Sequence, residues 1–213
     1  MNANAPVEDS AHAPVPVRGL VSARRLPASG NTALAASAVV QAALGIEFGL
    51  SGLNKFADPD YVANFTAFVR ANPGASRGPL SALVQAVVLP NADLFATLLK
   101  VIELGLGPVL MIGALEIARR RLPGRIGAAH GYEAGVALVA AAAGLTAAGL
   151  ALSIFLLMGG VLPTVMPGRA FTTAIPVELL IVPLGLSVAW LELARFLVLR
   201  RRRPIRVITA ADR

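Results

Sequence analysis

The chain has 213 residues, 56% of them hydrophobic and only 15% charged, with mean hydropathy +0.70 and net charge +7. Soluble domains carry about one-quarter charged residues, so this balance excludes a water-soluble domain and fits one compact bundle in a bilayer. With no cysteine, disulfides, dithiol relays, iron–sulfur clusters and thiolate metal sites are excluded; His12 and His130 lie outside the apolar spans, which excludes a bis-histidine haem in the membrane.

Residues 1–30 are rich in Ala, Pro and small polar residues, with Arg18, Arg24 and Arg25, and read as a disordered tail. The apolar region begins too late and runs too long for a cleaved secretory signal, so the first span is expected to stay attached. That span is expected at 31–53 and contains Gln41, Glu47 and a GxxxG spacing, Gly45 to Gly49, which lets a neighbouring helix approach closely. Glu47 adjoins the glycines and is expected to point into the bundle. Its plain alternative is a proton-carrying acid bonded to a nearby serine or backbone group. Asn54-Lys55-Phe56-Ala57-Asp58-Pro59 reads as a helix stop. Tyr61, Phe65 and Phe68, widened by Val62 and Val69, then predict an amphipathic helix at the membrane surface or capping the bundle. Turns follow at Asn72-Pro73-Gly74 and Arg77-Gly78-Pro79. Residues 80–89 are apolar but too short to span, and predict an interfacial helix or re-entrant piece.

The second span, 91–118, is stopped by Arg119, Arg120 and Arg121, and Pro108 is expected to kink it. It carries Lys100 and Glu103. Ionisable residues within a span mark functional sites by default, although at i and i+3 the two can also simply neutralise each other. The third span, 132–158, is an Ala/Gly-rich packing helix with Gly135, Ala140, Gly144 and Ala148 at close-packing spacing. A loop with Pro163, Pro167 and Arg169 leads to the fourth span, 174–199, which contains Pro176, Glu178, Pro183 and Trp190. Residues 200–213 form a basic tail.

The expected fold is therefore an all-α integral membrane protein: a four-transmembrane-helix bundle with one or two amphipathic or interfacial helices in its first outer loop. The N-terminal, central and C-terminal flanks hold 13 arginines, whereas the other two loops hold Lys55, Arg70, Arg77 and Arg169. The positive-inside rule then predicts a multi-pass protein of the cell (inner or plasma) membrane with both termini cytoplasmic. It also accounts for the basic charge without nucleic acid. Offsets along the helices put Glu47, Lys100 and Glu103 in the outer half, with Lys55 and Glu178 near the outer surface. Glu178 reads equally as a first-turn acid favoured by the helix N-terminus. Glu116, Glu133 and Glu192 lie near inner arginines and read as interfacial ion pairs.

The run Gly49-Leu50-Ser51-Gly52-Leu53-Asn54-Lys55-Phe56 resembles the G-x-x-K-hydrophobic signature of DoxX-like proteins. Leu89-Pro90-Asn91-Ala92-Asp93-Leu94-Phe95, followed by Glu103-Leu104-Gly105-Leu106-Gly107, resembles the same family, closer to its DoxD branch, the membrane subunit of thiosulfate:quinone oxidoreductase. The resemblance covers roughly Gly45 to Leu115 and the four-span layout. It implies a four-helix membrane protein tied to quinone or sulfur metabolism, in which Lys55 matches the family's lysine and Glu103 its second-span acid. Lys100 and the arginine-rich tails depart from the pattern, and nothing here resembles that enzyme's smaller subunit.

The expected function is a subunit of a quinone-linked oxidoreductase. Glu47 and Glu103 would shuttle protons, Lys100 or Lys55 would polarise a quinone oxygen, and Glu178 would help bind substrate. Arg70, Arg77 and Arg169 would hold a small oxyanion such as thiosulfate, their plain reading being solvated loop charges. The expected partners are the bilayer, membrane quinone and further protein subunits, with no haem, iron–sulfur cluster or metal. The alternative is a non-catalytic anchor or accessory subunit of a larger membrane redox complex. A transporter is less consistent, because no broken-helix repeat is visible.

Overall fold

The computed structural model describes residues 28–160, 162 and 175–201. The start of the N-terminal tail, Arg169 and the end of the basic tail lie outside the described residues. Four helices are long and apolar enough to cross a membrane. They are α1 (Ala28–Ala57), α5 (Ala92–Arg119), α6 (Glu133–Leu157) and α7 (Val177–Arg201), with the short helices α2 (Tyr61–Ala71), α3 (Pro73–Arg77) and α4 (Ser81–Leu83) between the first two. The protein is an all-α, multi-pass membrane bundle.

Successive long helices alternate in direction, and their order around the bundle is α1, α5, α6, α7. Leu44 and Phe48 of α1, Leu106 and Leu110 of α5, Ala143 and Ala147 of α6, and Val188 of α7 form the common core. Two helix pairs are drawn together by small residues. A Cβ on Gly107 would lie 2.7 Å from the Gly49 Cα, so α1 and α5 touch backbone to backbone. Gly144 and Gly185 do the same for α6 and α7, where a Cβ on either would meet the other's carbonyl oxygen at 2.7 or 2.6 Å. Such contacts let apolar helices associate by packing alone where lipid is as apolar as leucine. α6 buries Ala137, Ala140, Gly144, Ala147, Ala148 and Ala151 along one stripe, while Gly135 faces outward.

Three local features differ from the sequence pattern. First, α1 continues through Asn54, Lys55 and Phe56 and stops only at Asp58-Pro59. The extra turn places Lys55 one turn beyond Ser51 on the same helix face. Second, the buried edge of α2 runs through Tyr61, Val62, Phe65 and Val69, while Phe68 is exposed. Third, the apolar stretch after α4 is not a separate piece. It continues as a π-helical turn (Val84–Val88) and a 3₁₀ turn at Leu89–Asn91 directly into α5. The whole run Ser81–Arg119 has 39 residues. A straight helix of that length would measure about 58 Å against about 30 Å of hydrocarbon, so its first part belongs to the cap rather than to the span.

The cap has its own small core of Val69, Ala75 and Val84, against which Phe65, Leu80 and Leu157 pack. Gly74 sits on the last carbonyls of α6, where a Cβ would lie 2.3 Å from the Leu156 and Leu157 oxygens. The bundle thus has a capped end, holding α2–α4, and an arginine-rich end, holding the α5–α6 connection and the C-terminus of α7.

Candidate functional site

At the capped end the extra turn of α1 brings Ser51 and Lys55 against Glu103 of α5. Glu103 is buried; its Oε2 accepts a hydrogen bond from Ser51 Oγ at 2.8 Å and is ion-paired with Lys55 Nζ. Lys55 Nζ also donates to Ser51 Oγ at 2.6 Å. The close approach at Gly49–Gly107 makes this possible, since it fixes α1 and α5 in a register that puts the three side chains level. The pair joins the two positions singled out by the DoxX-like resemblance, Lys55 and Glu103.

Lys100 does not pair with Glu103, although they are one turn apart. Its ammonium sits 5.0 Å from the centroid of the Phe56 ring, a cation–π contact on the α1 side. Glu103 turns instead toward α1 because Lys55 and Ser51 together satisfy it there.

A residue that sequence reasoning treated only as part of an apolar stripe lies within electrostatic reach of Glu103. Tyr61, at the start of α2, has a buried hydroxyl with no hydrogen-bond partner. Burial, and secondarily the neighbouring Glu103 carboxylate, push its pKa up to about 12. The hydroxyl is therefore a fixed proton donor at neutral pH. Asp58 positions α2 for this: it accepts from the Asp60 backbone N–H at 2.9 Å and from Asn64 Nδ2 at 3.0 Å, locking the turn between α1 and α2. A buried donor without an acceptor leaves a hydrogen bond unmade, which buried polar groups rarely do. The usable signal in the sequence was a tyrosine, rather than a phenylalanine, opening that stripe.

The other expected site residues are elsewhere. Glu47 is exposed on the outer surface of the bundle, not directed inward. The reason is angular: Gly45 and Gly49 face α5, and Glu47 is two positions from each, about 200° around an α-helix. Glu178 is half-buried in the first turn of α7 and makes no hydrogen bond or ion pair among the described residues. Arg70 and Arg77, in the last turns of α2 and α3, are exposed and unpaired among the described residues.

The arginine-rich end holds a second polar assembly, where the sequence suggested only interfacial ion pairs. Gln41 of α1 donates through Nε2 to Ser37 Oγ at 3.0 Å and to Glu192 Oε1 at 2.9 Å. On α7, Arg195 donates to Glu192 Oε2 at 3.0 Å and lies 3.8 Å from Glu116 of α5. Arg119 grips Glu116 with two bonds of 2.8 Å and reaches Glu133 of α6 at 3.4 Å. Its remaining amine contacts the Ala128 carbonyl and His130 Nδ1, which shapes the α5–α6 connection. Glu116, Glu133 and Glu192 are all buried, and the network joins all four long helices.

Among the described residues, no group of three or more His, Asp or Glu side chains is placed to hold a metal ion. Comparison with family models, with curated proteins and with solved structures gave no match for this chain.

Proposed function

We propose that this chain is a membrane subunit of a quinone-linked oxidoreductase, and that the Ser51–Lys55–Glu103–Tyr61 cluster receives the quinone headgroup. The observation that carries this reading is the buried, unpartnered Tyr61 hydroxyl beside a carboxylate already paired with Lys55. Quinone carbonyls are acceptors without donors, so they complement an unused phenol. Reduction to quinol takes two electrons and two protons. Tyr61 and Lys100 would polarise the carbonyls, and Glu103, relayed through Ser51 and Lys55, would supply protons. The electrons come from a partner subunit or a small donor; thiosulfate is the donor suggested by the DoxD-like resemblance. Arg70 and Arg77, exposed in the last turns of α2 and α3, would meet such an oxyanion at the surface of the cap. The proposed orientation puts the capped end outside and both termini in the cytoplasm, as the arginine distribution requires.

The test is decylubiquinone binding and thiosulfate-driven quinone reduction by the purified chain in lipid nanodiscs. Tyr61→Phe should weaken binding about tenfold, the value of one hydrogen bond to a buried acceptor. Glu103→Gln should abolish reduction, whereas Glu192→Gln should not. Equal quinone affinity in the native and Tyr61→Phe proteins would leave only the accessory-subunit reading.

A further inference from the structure

Arg120 stands outside the four-helix network, which uses Arg119 and Arg195 to hold Glu116, Glu133 and Glu192. Among the described residues Arg120 makes one hydrogen bond, from Nη1 to the Gly127 carbonyl at 2.6 Å, and no ion pair. A guanidinium carries five N–H donors, so most of this fork stays open. Arg120 and Arg121, with Thr32 and Ala35 of α1, line an open cavity of about 510 Å³. Thr32 opens the apolar span of α1, and the two arginines follow directly on the last residue of α5. The cavity therefore lies at the level where hydrocarbon gives way to lipid headgroups.

The charge around this cavity has one sign. No acidic side chain lines it, the first turn of α1 holds none, and a helix N-terminus is itself partly positive. The carboxylates at this end are buried within the network. A guanidinium fork matches two oxygens of a phosphate, whereas a quaternary ammonium would find no acidic partner here. Apolar surface continues from the cavity toward the middle of the bilayer. On α1, Val39 lies one turn beyond Ala35 and is 70% exposed, and Ile46 continues the stripe at 54% exposed. On α5, Ala118, one turn before Arg121, is exposed as well. Open cationic donors at the foot of an apolar, lipid-facing track suit a phosphate with acyl chains attached better than a soluble anion.

We propose that this cavity is a binding site for an anionic phospholipid, its phosphate held by Arg120 and Arg121 and its chains lying along Val39 and Ile46. Basic pockets between membrane helices at the headgroup level are suited to such lipids. The site is at the opposite end of the bundle from the Lys55–Glu103 pair, and it stands independently of the quinone reading. One lipid seated there would join the start of α1 to the end of α5, far from the backbone contact at Gly49 and Gly107.

The purified full-length chain in non-ionic detergent is titrated with dioleoylphosphatidylglycerol, with dioleoylphosphatidylcholine and with inorganic phosphate, and bound lipid is counted by native mass spectrometry. One phosphatidylglycerol per chain should bind about tenfold more tightly than phosphatidylcholine, and millimolar phosphate should not displace it. Arg120→Gln/Arg121→Gln should weaken phosphatidylglycerol binding about 30-fold, the worth of two cations at a lipid surface. Ala35→Leu keeps both charges but fills the cavity, and should weaken binding about fivefold, the lower end of an overpacking penalty. Arg200→Gln/Arg201→Gln removes the same charge from the same end of the bundle, away from the cavity, and should change affinity less than about twofold because exposed charges are screened. Phosphatidylcholine held as tightly as phosphatidylglycerol, or equal losses in the two double-arginine variants, would reduce the site to diffuse surface charge and overturn the proposal. Unchanged affinity in Ala35→Leu would remove the cavity from it, and displacement by phosphate would assign the arginines to a soluble anion instead of a lipid.

Discussion

The two ends of this bundle handle buried charge in opposite ways. At the arginine-rich end, three carboxylates and two guanidiniums are shared among three helices, Gln41 ties in the fourth, and each carboxylate is gripped by at least one arginine. At the capped end, one carboxylate is matched by one lysine from a neighbouring helix, with Tyr61 left unbonded and Lys100 resting on an aromatic face. The first network spends its buried donors and its carboxylates on itself, leaving only the acceptor Gln41 Oε1 unbonded among the described residues, and so fixes the helices and offers no donor to a ligand. One that keeps a donor in reserve is arranged to meet something else. The contrast separates a structural lock from a candidate site more sharply than charge or depth alone.

The largest way to test it is to break the lock. Arg195→Leu would leave Glu192, which has no solvent exposure, and the buried Glu116 short of a cation. Removing one partner of a buried ion pair costs about 3–5 kcal/mol. Unfolding of the purified chain in mixed micelles with rising dodecyl sulfate should show that loss, with no change in quinone affinity while the bundle remains folded. A loss below about 1 kcal/mol would mean the network is dispensable and the contrast between the ends is wrong.

A smaller effect tests how α1 and α5 come to present the site. Gly107→Ala forces a methyl group against the Gly49 backbone, whereas a Cβ at Gly105 meets nothing. The first should cost about 1–3 kcal/mol, typical of overpacking, and should also weaken quinone binding because Ser51 and Lys55 move away from Glu103. Gly105→Ala should be neutral or slightly stabilising, since alanine suits a helix better than glycine. Both are read by the same micelle titration. Equal behaviour of the two variants would show that the backbone contact does not set the register.

At the capped end, Lys55→Met leaves Glu103 with Ser51 alone. The expected cost is about 1–2 kcal/mol, less than at Arg195, because one hydrogen bond remains and Lys55 is near the surface. Lys55→Met combined with Glu103→Leu should recover most of the stability, as apolar replacement of a buried pair often does, while quinone reduction stays lost. Recovery of both stability and activity would remove Glu103 from any catalytic role.

The sequence carried the fold because bilayer thickness and hydropathy leave few alternatives for a chain of this composition. Four apolar runs of the right length separated by Pro, Gly and Arg read directly as four helices. It carried Lys55 and Glu103 as individual residues, but not their partnership. Lys100 is the nearer cation in sequence, and only the continuation of α1 past Leu53 places Lys55 within reach. Glu47 was misdirected because adjacency to glycines in sequence was read as adjacency in space, whereas two positions on a helix are nearly opposite. The four-helix network was hidden for a related reason. Glu116, Glu133 and Glu192 sit within a few residues of arginines, a local pattern equally consistent with solvated pairs, and burial is a property of all four helices together. Tyr61 was legible only as apolar, since a phenol in an amphipathic stripe does not announce which way its hydroxyl points.

The smallest expected effect on stability is also the most discriminating. Tyr61→Phe deletes a hydroxyl that bonds nothing in the protein, so the fold should be unchanged or slightly more stable. If the capped end were a lock like the other end, removing one of its polar groups would instead cost stability. The pH dependence gives a second reading of the same group. Its pKa is raised from 10.0 to about 12, so the folded chain holds this proton where an unfolded chain has lost it. The resulting stabilisation is complete below pH 10 and is lost as pH rises toward about 12. Tyrosinate absorbance followed from pH 9 to 13 should therefore show a step near pH 12 in the native protein that is missing in Tyr61→Phe, which retains only Tyr132. Quinone bound at the cluster should push that step still higher, because an accepted hydrogen bond favours the protonated phenol. A step at pH 10 that ignores quinone would place the hydroxyl in water, and the capped end would lose the unbonded donor that distinguishes it from the arginine-rich network, whose unbonded buried atom is an acceptor, Gln41 Oε1.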